Sequence, residues 1–180
     1  MTNTFNFCPK CATPLTIQPH GGRDRQACPN TECGWVHWDN PTPVVAAVVE
    51  RNGNILLVQS IGWPKEAYAL VTGFLEAGEE PSEAVLREVK EETGLDAELG
   101  DFLGLWTFER NNQLLICYHV IAHEGEVVLE TAELSDYKEV PMEQVRPWRA
   151  GTGHALNKFL NSRGHFPEYF DWPRKKAEQE

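Results

Sequence analysis

Residues 73–95 read GFLEAGEEPSEAVLREVKEETGL, and their reading decides the fold. Pro81 suits the first turn of a helix, where its missing N–H would have had no intrahelical partner. Glu79, Glu80 and Glu83 favour the positive N-terminal end, and Gly94 suits the left-handed residue after the last turn. A helix from about Pro81 to Thr93 is predicted, with Val85, Leu86 and Val89 as its apolar stripe. Glu88 and Glu92 are four residues apart and share one face, with Glu91 beside them. Three neighbouring carboxylates oppose helix formation unless their charge is offset. A hard divalent cation offsets it directly, and carboxylate oxygens suit Mg²⁺ or Mn²⁺. The plain alternative is a solvated, Glu-rich helix face.

Outward from that helix, the chain of 180 residues has room for one good core and a small added module. Its formal net charge of −11 argues against broad, nonspecific binding to nucleic acid. The same charge would hinder an enzyme of polyanions unless bound cations relieved it locally. No apolar run is long enough to span a membrane. The opening MTNTFNFCPK lacks the basic and apolar parts of a secretory leader. A cytoplasmic location and no membrane partner are therefore expected.

Four of the five cysteines precede residue 34. Cys8-Pro9-Lys10-Cys11 is a C-x₂-C pair, and Cys28 and Cys33 form a C-x₄-C pair 16 residues later. Two tight turns that present two thiolates each read as a zinc ribbon holding one structural Zn²⁺. The stretch between the pairs is polar and rich in Gly and Pro, so metal binding would supply the folding free energy. Two disulfides are the rival reading, disfavoured in a reducing compartment. His20 and His37 are available as substitute ligands, or are ordinary surface residues. Cys117 lies in an apolar run and reads as an inert core residue.

Pro41-Thr42-Pro43 marks the way out of the ribbon. Val44 to Glu50 reads as a buried strand, Asn52-Gly53 as a two-residue hairpin turn, and Ile55 to Gln59 as the returning strand. Tyr68 to Val71, Phe102 to Phe108, Leu114 to Ala122 and Val127 to Leu129 read as further strands. Glu143 to Trp148 reads as a single helical turn and Thr152 to Asn161 as a helix. Lys175 to Glu180 reads as a frayed polar end. The organisation expected is a zinc ribbon over 1–40, a catalytic domain over 41–163 and a polar C-terminal tail over 164–180.

The opening stretch also matches the Nudix box GX5EX7REUXEEXGU, with U a bulky apolar residue, at every fixed position. Gly73, Glu79, Arg87-Glu88-Val89, Glu91-Glu92 and Gly94-Leu95 carry that match. The chain therefore resembles a Nudix hydrolase. The resemblance implies an α/β protein, a Nudix α/β/α sandwich with a mixed sheet, here preceded by the small ribbon. It implies that Glu88 and Glu92 hold metal, with Glu91 as ligand or base, and that the Thr72 carbonyl completes a metal site. Glu79 and Arg87 support the loop–helix–loop, with Glu79 sometimes closer to the chemistry. About two to three Mg²⁺ or Mn²⁺ ions would then assist hydrolysis of a pyrophosphate.

A ribbon in front of such a domain resembles the NADH pyrophosphatase branch, over about residues 8–160. On that likeness Glu133, after Gly125-Glu126-Val127-Val128-Leu129, is a further metal ligand or base, or else a surface Glu in an acidic loop. Phe74 would make a ring contact with substrate. The branch signature SQPWPFPxS is not kept; Trp106 and Phe108 retain only its W-x-F element. Trp106, Phe108 and Tyr118 are candidates for base stacking or for core packing. Signatures of ADP-ribose and coenzyme A enzymes are absent too. The expected substrate is a dinucleotide or nucleotide sugar of the NAD(H), FAD or ADP-ribose class, cleaved to mononucleotides. Decapping of nucleotide-capped RNA is an alternative, with Arg23-Asp24-Arg25 as its support. A non-catalytic nucleotide sensor or adaptor is another. The ribbon would pack on the catalytic domain or build a homodimer.

Overall fold

The structure is a computed structural model that describes residues 5–173. The chain divides into two compact units, residues 1–41 and 42–180.

In the first unit, the Cys8 turn is closed by Ala12 N–H donating to the Cys8 carbonyl and Cys8 N–H to that of Thr13, each at 2.8 Å. Strands β1 (Thr16–His20) and β2 (Arg23–Ala27) then form an antiparallel hairpin. Gly21 and Gly22 join them with φ of 59° and 77°, as a two-residue turn between right-twisted strands requires. Neither strand has an apolar alternation, so hydropathy patterning does not reveal them; the Gly-Gly pair is the available signal. The second Cys turn is built by Asn30. Its carbonyl accepts the Cys33 N–H and its side chain the Glu32 N–H, each at 3.0 Å. Four intervening residues are thus accommodated as readily as two.

The second unit comprises β3 (Thr42–Arg51), β4 (Asn54–Ser60), β5 (Val71–Phe74), α1 (Pro81–Thr93), β6 (Ala97–Phe108), β7 (Gln113–Ala122), β8 (Leu134–Pro141) and α2 (Gly153–Ser162). The sheet order is β6-β7-β3-β4-β8, and β5 also pairs with β3. β3 and β7 run parallel, and every other pair is antiparallel. The apolar run of β3 is buried on both faces. Val44, Ala46 and Val48 join the core that packs on α2, whereas Val45, Ala47 and Val49 join the core under α1. The protein is therefore a mixed sheet between two helices, the α/β/α sandwich that the resemblance implied. β4 and β5 share one edge of β3, at Val49–Arg51 and Val44–Ala47 respectively. This brings Gly73 of β5 into the sheet beneath α1.

Several elements depart from the sequence reading. The strand expected at Tyr68–Val71 starts instead at Val71, and before it Ala69 makes an isolated bridge to Val58. Val127–Leu129 is not a strand. It runs as an extended strap over the end of α1, where Val128 N–H donates to the Thr93 carbonyl at 2.9 Å and Glu130 N–H to that of Glu92 at 3.1 Å. The real strand is β8, LSDYKEVP, an exposed edge strand whose polar sequence conceals it. Glu143–Trp148 holds a turn, closed on the Pro141 carbonyl by Gln144 and Val145, and no helix. Beyond α2, Phe170 and Trp172 pack on the α2-side core, with the Trp172 ring 5.2 Å from Trp148. Lys175–Glu180 lie outside the described residues. Among the described residues no helix is long and apolar enough to cross a membrane.

Candidate active site

Helix α1 presents its carboxylates because the opposite side is anchored. Ala84, Val85 and Val89 are buried, with Leu86 partly so. Gly94 ends the helix with φ of 72° and its N–H on the Lys90 carbonyl, the left-handed cap that its sequence position predicts. Residues 73–80 wrap back over the exposed side, held by Arg87. Its guanidinium donates to both oxygens of Glu79 (2.7 and 2.9 Å), to Glu88 (2.8 Å), to Glu91 (3.0 Å) and to the Phe74 carbonyl (3.2 Å). All these donors sit in one rigid fork, which lysine could not reproduce. Arg87 holds the Glu79 carboxyl below the usual range, aided by the Glu76 N–H and opposed by partial burial. Among the partners of Arg87, Glu79 and Glu88 are largely enclosed, while 57% of the Glu91 side chain is exposed.

Glu88 lies directly over β5. A Cβ on Gly73 would overlap the Glu88 carboxyl group, so the glycine is needed for close approach. Glu92 is buried, 7% exposed, and its Oε2 has no hydrogen-bond partner. Burial first, then the charges of Glu88 and Glu133, push its carboxyl up to about 8, against a hydrogen bond from the Thr72 backbone. Glu88 is raised too, by burial first, with Arg87 pulling it down and Glu91 and Glu133 pushing it up. The structure thus brings together Thr72, Glu88, Glu92 and Glu133, from β5, α1 and the loop before β8. Glu133 reaches this group because the strap at Val128–Glu130 fixes its approach. Nothing in the sequence pattern announces that strap, since its bonds to the end of α1 are between backbone atoms. Arrays of partly desolvated carboxylates with an unpartnered buried oxygen fit hard divalent cations.

The aromatic candidates separate. Phe74 is 61% exposed beside the box. Trp106 and Phe108 pack against the core on the α2 side, away from the face that carries α1. Tyr118 lies on the α1 side, with its ring 5.2 Å from Phe102.

In the first unit the sulfur atoms of Cys8, Cys11, Cys28 and Cys33 all lie within 4.8 Å of one another. Cys8 and Cys33 approach to 3.6 Å and Cys11 and Cys28 to 3.5 Å, so each contact links the two turns. A disulfide would need about 2.05 Å, and all five cysteines are free. Four sulfurs at about 2.3 Å from one tetrahedral ion would be about 3.8 Å apart, close to these spacings. His20 and His37 are not part of the cluster; the His37 ring is stacked with Trp35.

Comparison with known proteins places this geometry. The chain is 29% identical over 147 residues to the NAD-capped RNA hydrolase NudC of Vibrio vulnificus, covering 82% of this chain and 55% of that protein. Its counterpart in Pseudomonas aeruginosa is 27% identical over 160 residues, covering 87% and 56%. The chain thus spans about half the length of these curated relatives. Among solved structures, a NUDIX hydrolase from Nitrosomonas europaea superposes with a TM-score of 0.75 at 20% identity, covering 92% of this chain and 97% of that one. A UDP-X diphosphatase gives 0.57 at 24% identity, covering 73% and 68%. A family model for the NUDIX domain matches residues 40–159, a span that takes in the sheet, both carboxylate-bearing segments and most of α2, and the chain belongs to that family.

Proposed function

We propose that this protein hydrolyses the pyrophosphate bond of a nucleoside diphosphate linked to a second moiety, using divalent cations held by the box carboxylates. The observation that carries the reading is Glu92, a buried carboxylate with an unpartnered oxygen, crowded by the charges of Glu88 and Glu133. Left without a cation, such a group is costly. Glu88, Glu92 and the Thr72 carbonyl, joined by Glu91 or Glu133, would hold Mg²⁺ or Mn²⁺, about two to three ions. Bound there, the cations supply charge neutralisation for the pyrophosphate and acidify water. The protein's own part is placement. Arg87 clamps Glu79 and draws Glu88 and Glu91 into register, and Gly73 leaves room for the Glu88 carboxyl. Glu91 and Glu133 are the solvent-exposed carboxylates of the group and are the proposed acceptors of the proton from water. Phe74 offers an exposed ring for stacking on substrate. Trp106 and Phe108 are better placed to support the α2-side core. In the first unit the four cysteines would hold one structural Zn²⁺.

For the substrate we favour the dinucleotide class of NAD(H), FAD and ADP-ribose. The names of the relatives favour a second reading, in which the same bond is cut at the 5′ end of an NAD-capped RNA. Parallel turnover of NADH, FAD, ADP-ribose and a short NAD-capped RNA, with Mg²⁺ and then Mn²⁺, separates these. The class is supported if monophosphate is released from a free dinucleotide, and the second reading if the capped RNA is cut much faster. Tight binding of the panel with no turnover would show a sensor instead.

A further inference from the structure

The ribbon hairpin sorts its side chains by charge. Alternation along paired strands puts Gln18, His20, Arg23 and Arg25 on one face, while Ile17, Pro19, Asp24 and Gln26 take the other. Val36 bridges Ala27 as a third short strand, so Trp38, two residues on, falls on the basic face. There the Arg25 guanidinium lies 5.1 Å from the centre of the Trp38 ring. The Arg25 Nε donates to the His20 carbonyl at 3.3 Å, and its Nη1 donates to the Trp38 carbonyl. Trp38 is nevertheless 49% exposed, and Arg23 at the turn is exposed as well. One face of this hairpin thus carries both of its arginines, a histidine and an open indole, and its acid, Asp24, faces away.

The charge balance of the chain makes this face unusual. Residues 1–41 contain three cations (Lys10, Arg23, Arg25) and three acids (Asp24, Glu32, Asp39), so the whole formal charge of −11 lies in residues 42–180. Four thiolates around Zn²⁺ would add two negative charges at the Cys turns. Arg23 sits four strand steps from Ala27, about 13 Å, which exceeds the screening length of about 8 Å at physiological salt.

We propose that this face binds single-stranded nucleic acid, with Trp38 stacking on a base and Arg23 and Arg25 meeting phosphates. A stacking ring flanked by cations is the combination that holds unpaired strands without reading sequence. A double helix hides its base faces and would be held less well. The inference does not depend on which pyrophosphate the carboxylates cleave, and it is tested without turnover.

The test is fluorescence anisotropy with an uncapped, 5′-phosphorylated 10-nucleotide RNA in Mg²⁺-free buffer, for the zinc-loaded full chain. Trp38→Ala is expected to weaken binding about tenfold, whereas Trp38→Phe stays within about threefold. Arg23→Glu is expected to weaken binding at least fivefold and to flatten the salt dependence by about 0.7 in log–log slope. Each variant should keep one zinc per chain and wild-type turnover of a free dinucleotide. If Trp38→Ala loses zinc, Arg23→Glu decides. Unchanged RNA affinity in Arg23→Glu would overturn the proposal. So would a wild type that ignores RNA but forms a concentration-dependent dimer abolished by Arg23→Glu, which would make the face a self-contact.

Discussion

Replacing Glu92 by glutamine should make the cation-free protein more stable while removing its activity. Glu92 is 7% exposed, its Oε2 has no partner, and its carboxyl is pushed up to about 8 from an ordinary 4.5. A group raised on folding contributes fully below its unfolded pKa, and that contribution is lost as pH rises through the folded value. Between pH 4.5 and 8 the cation-free wild type should therefore lose stability. At pH 7.5 the penalty is about 4 kcal/mol for an isolated site. Sharing of charge with Glu88 and the exposed Glu133 brings it to about 2–4 kcal/mol. The amide introduced by Glu92→Gln carries no charge, so it removes the burial penalty and the repulsion from Glu88 and Glu133. For a chain of this size the gain corresponds to about 5–15 °C in Tm. The assay is thermal unfolding at pH 5 and 7.5 after dialysis against Mg²⁺-free buffer, without strong chelators that would strip the ribbon. The wild type should recover the difference on adding Mg²⁺, and the variant should not. A variant less stable than wild type at pH 7.5 without Mg²⁺, or equal stabilisation of both by Mg²⁺, would refute the argument.

Gly73→Ala should displace the Glu88 carboxyl, which overlaps the position of the new methyl. Turnover should fall at least tenfold for a stability change of about 1 kcal/mol or less, read by steady-state kinetics beside unfolding. Arg87→Lys should lose most of the effect of Arg87 despite keeping the charge, because four carbonyl or carboxylate groups rely on one planar fork; a variant with wild-type kcat would contradict that. Titration of the denatured protein, with zinc chelated and no reductant, should find five thiols. The native protein should carry one zinc per chain, lost in Cys28→Ser. Fewer than five thiols would point to disulfides.

What can be read in advance is what local chemistry dictates. Helix α1 is legible because its proline start, glycine stop and apolar stripe are all local, and the observed bounds are Pro81–Thr93. β3 and the Asn52-Gly53 turn are legible for the same reason. β8 is not, because an exposed edge strand needs no apolar alternation, and LSDYKEVP shows none. The strap at Val128–Glu130 imitates a strand because Val127-Val128-Leu129 has strand composition; its backbone pairs with the end of a helix instead. The spacing of Glu88, Glu91 and Glu92 declares the carboxylate face. The burial that sets Glu92 apart from Glu91 depends on β5 and the strap, which are distant in sequence. Trp106 and Phe108 show the reverse problem. A W-x-F element suggests stacking on substrate, but alternation along β6 turns both rings into the α2-side core.

The most direct test of the central claim is release of mononucleotide from NADH and ADP-ribose by the wild type and by Glu92→Gln, with Mg²⁺ or Mn²⁺ and with neither. The expected result is turnover by the wild type that needs the cation, and loss of nearly all of it in a variant that remains folded. Wild-type rates in Glu92→Gln, or a wild type that turns over equally well without divalent cations, would contradict the account.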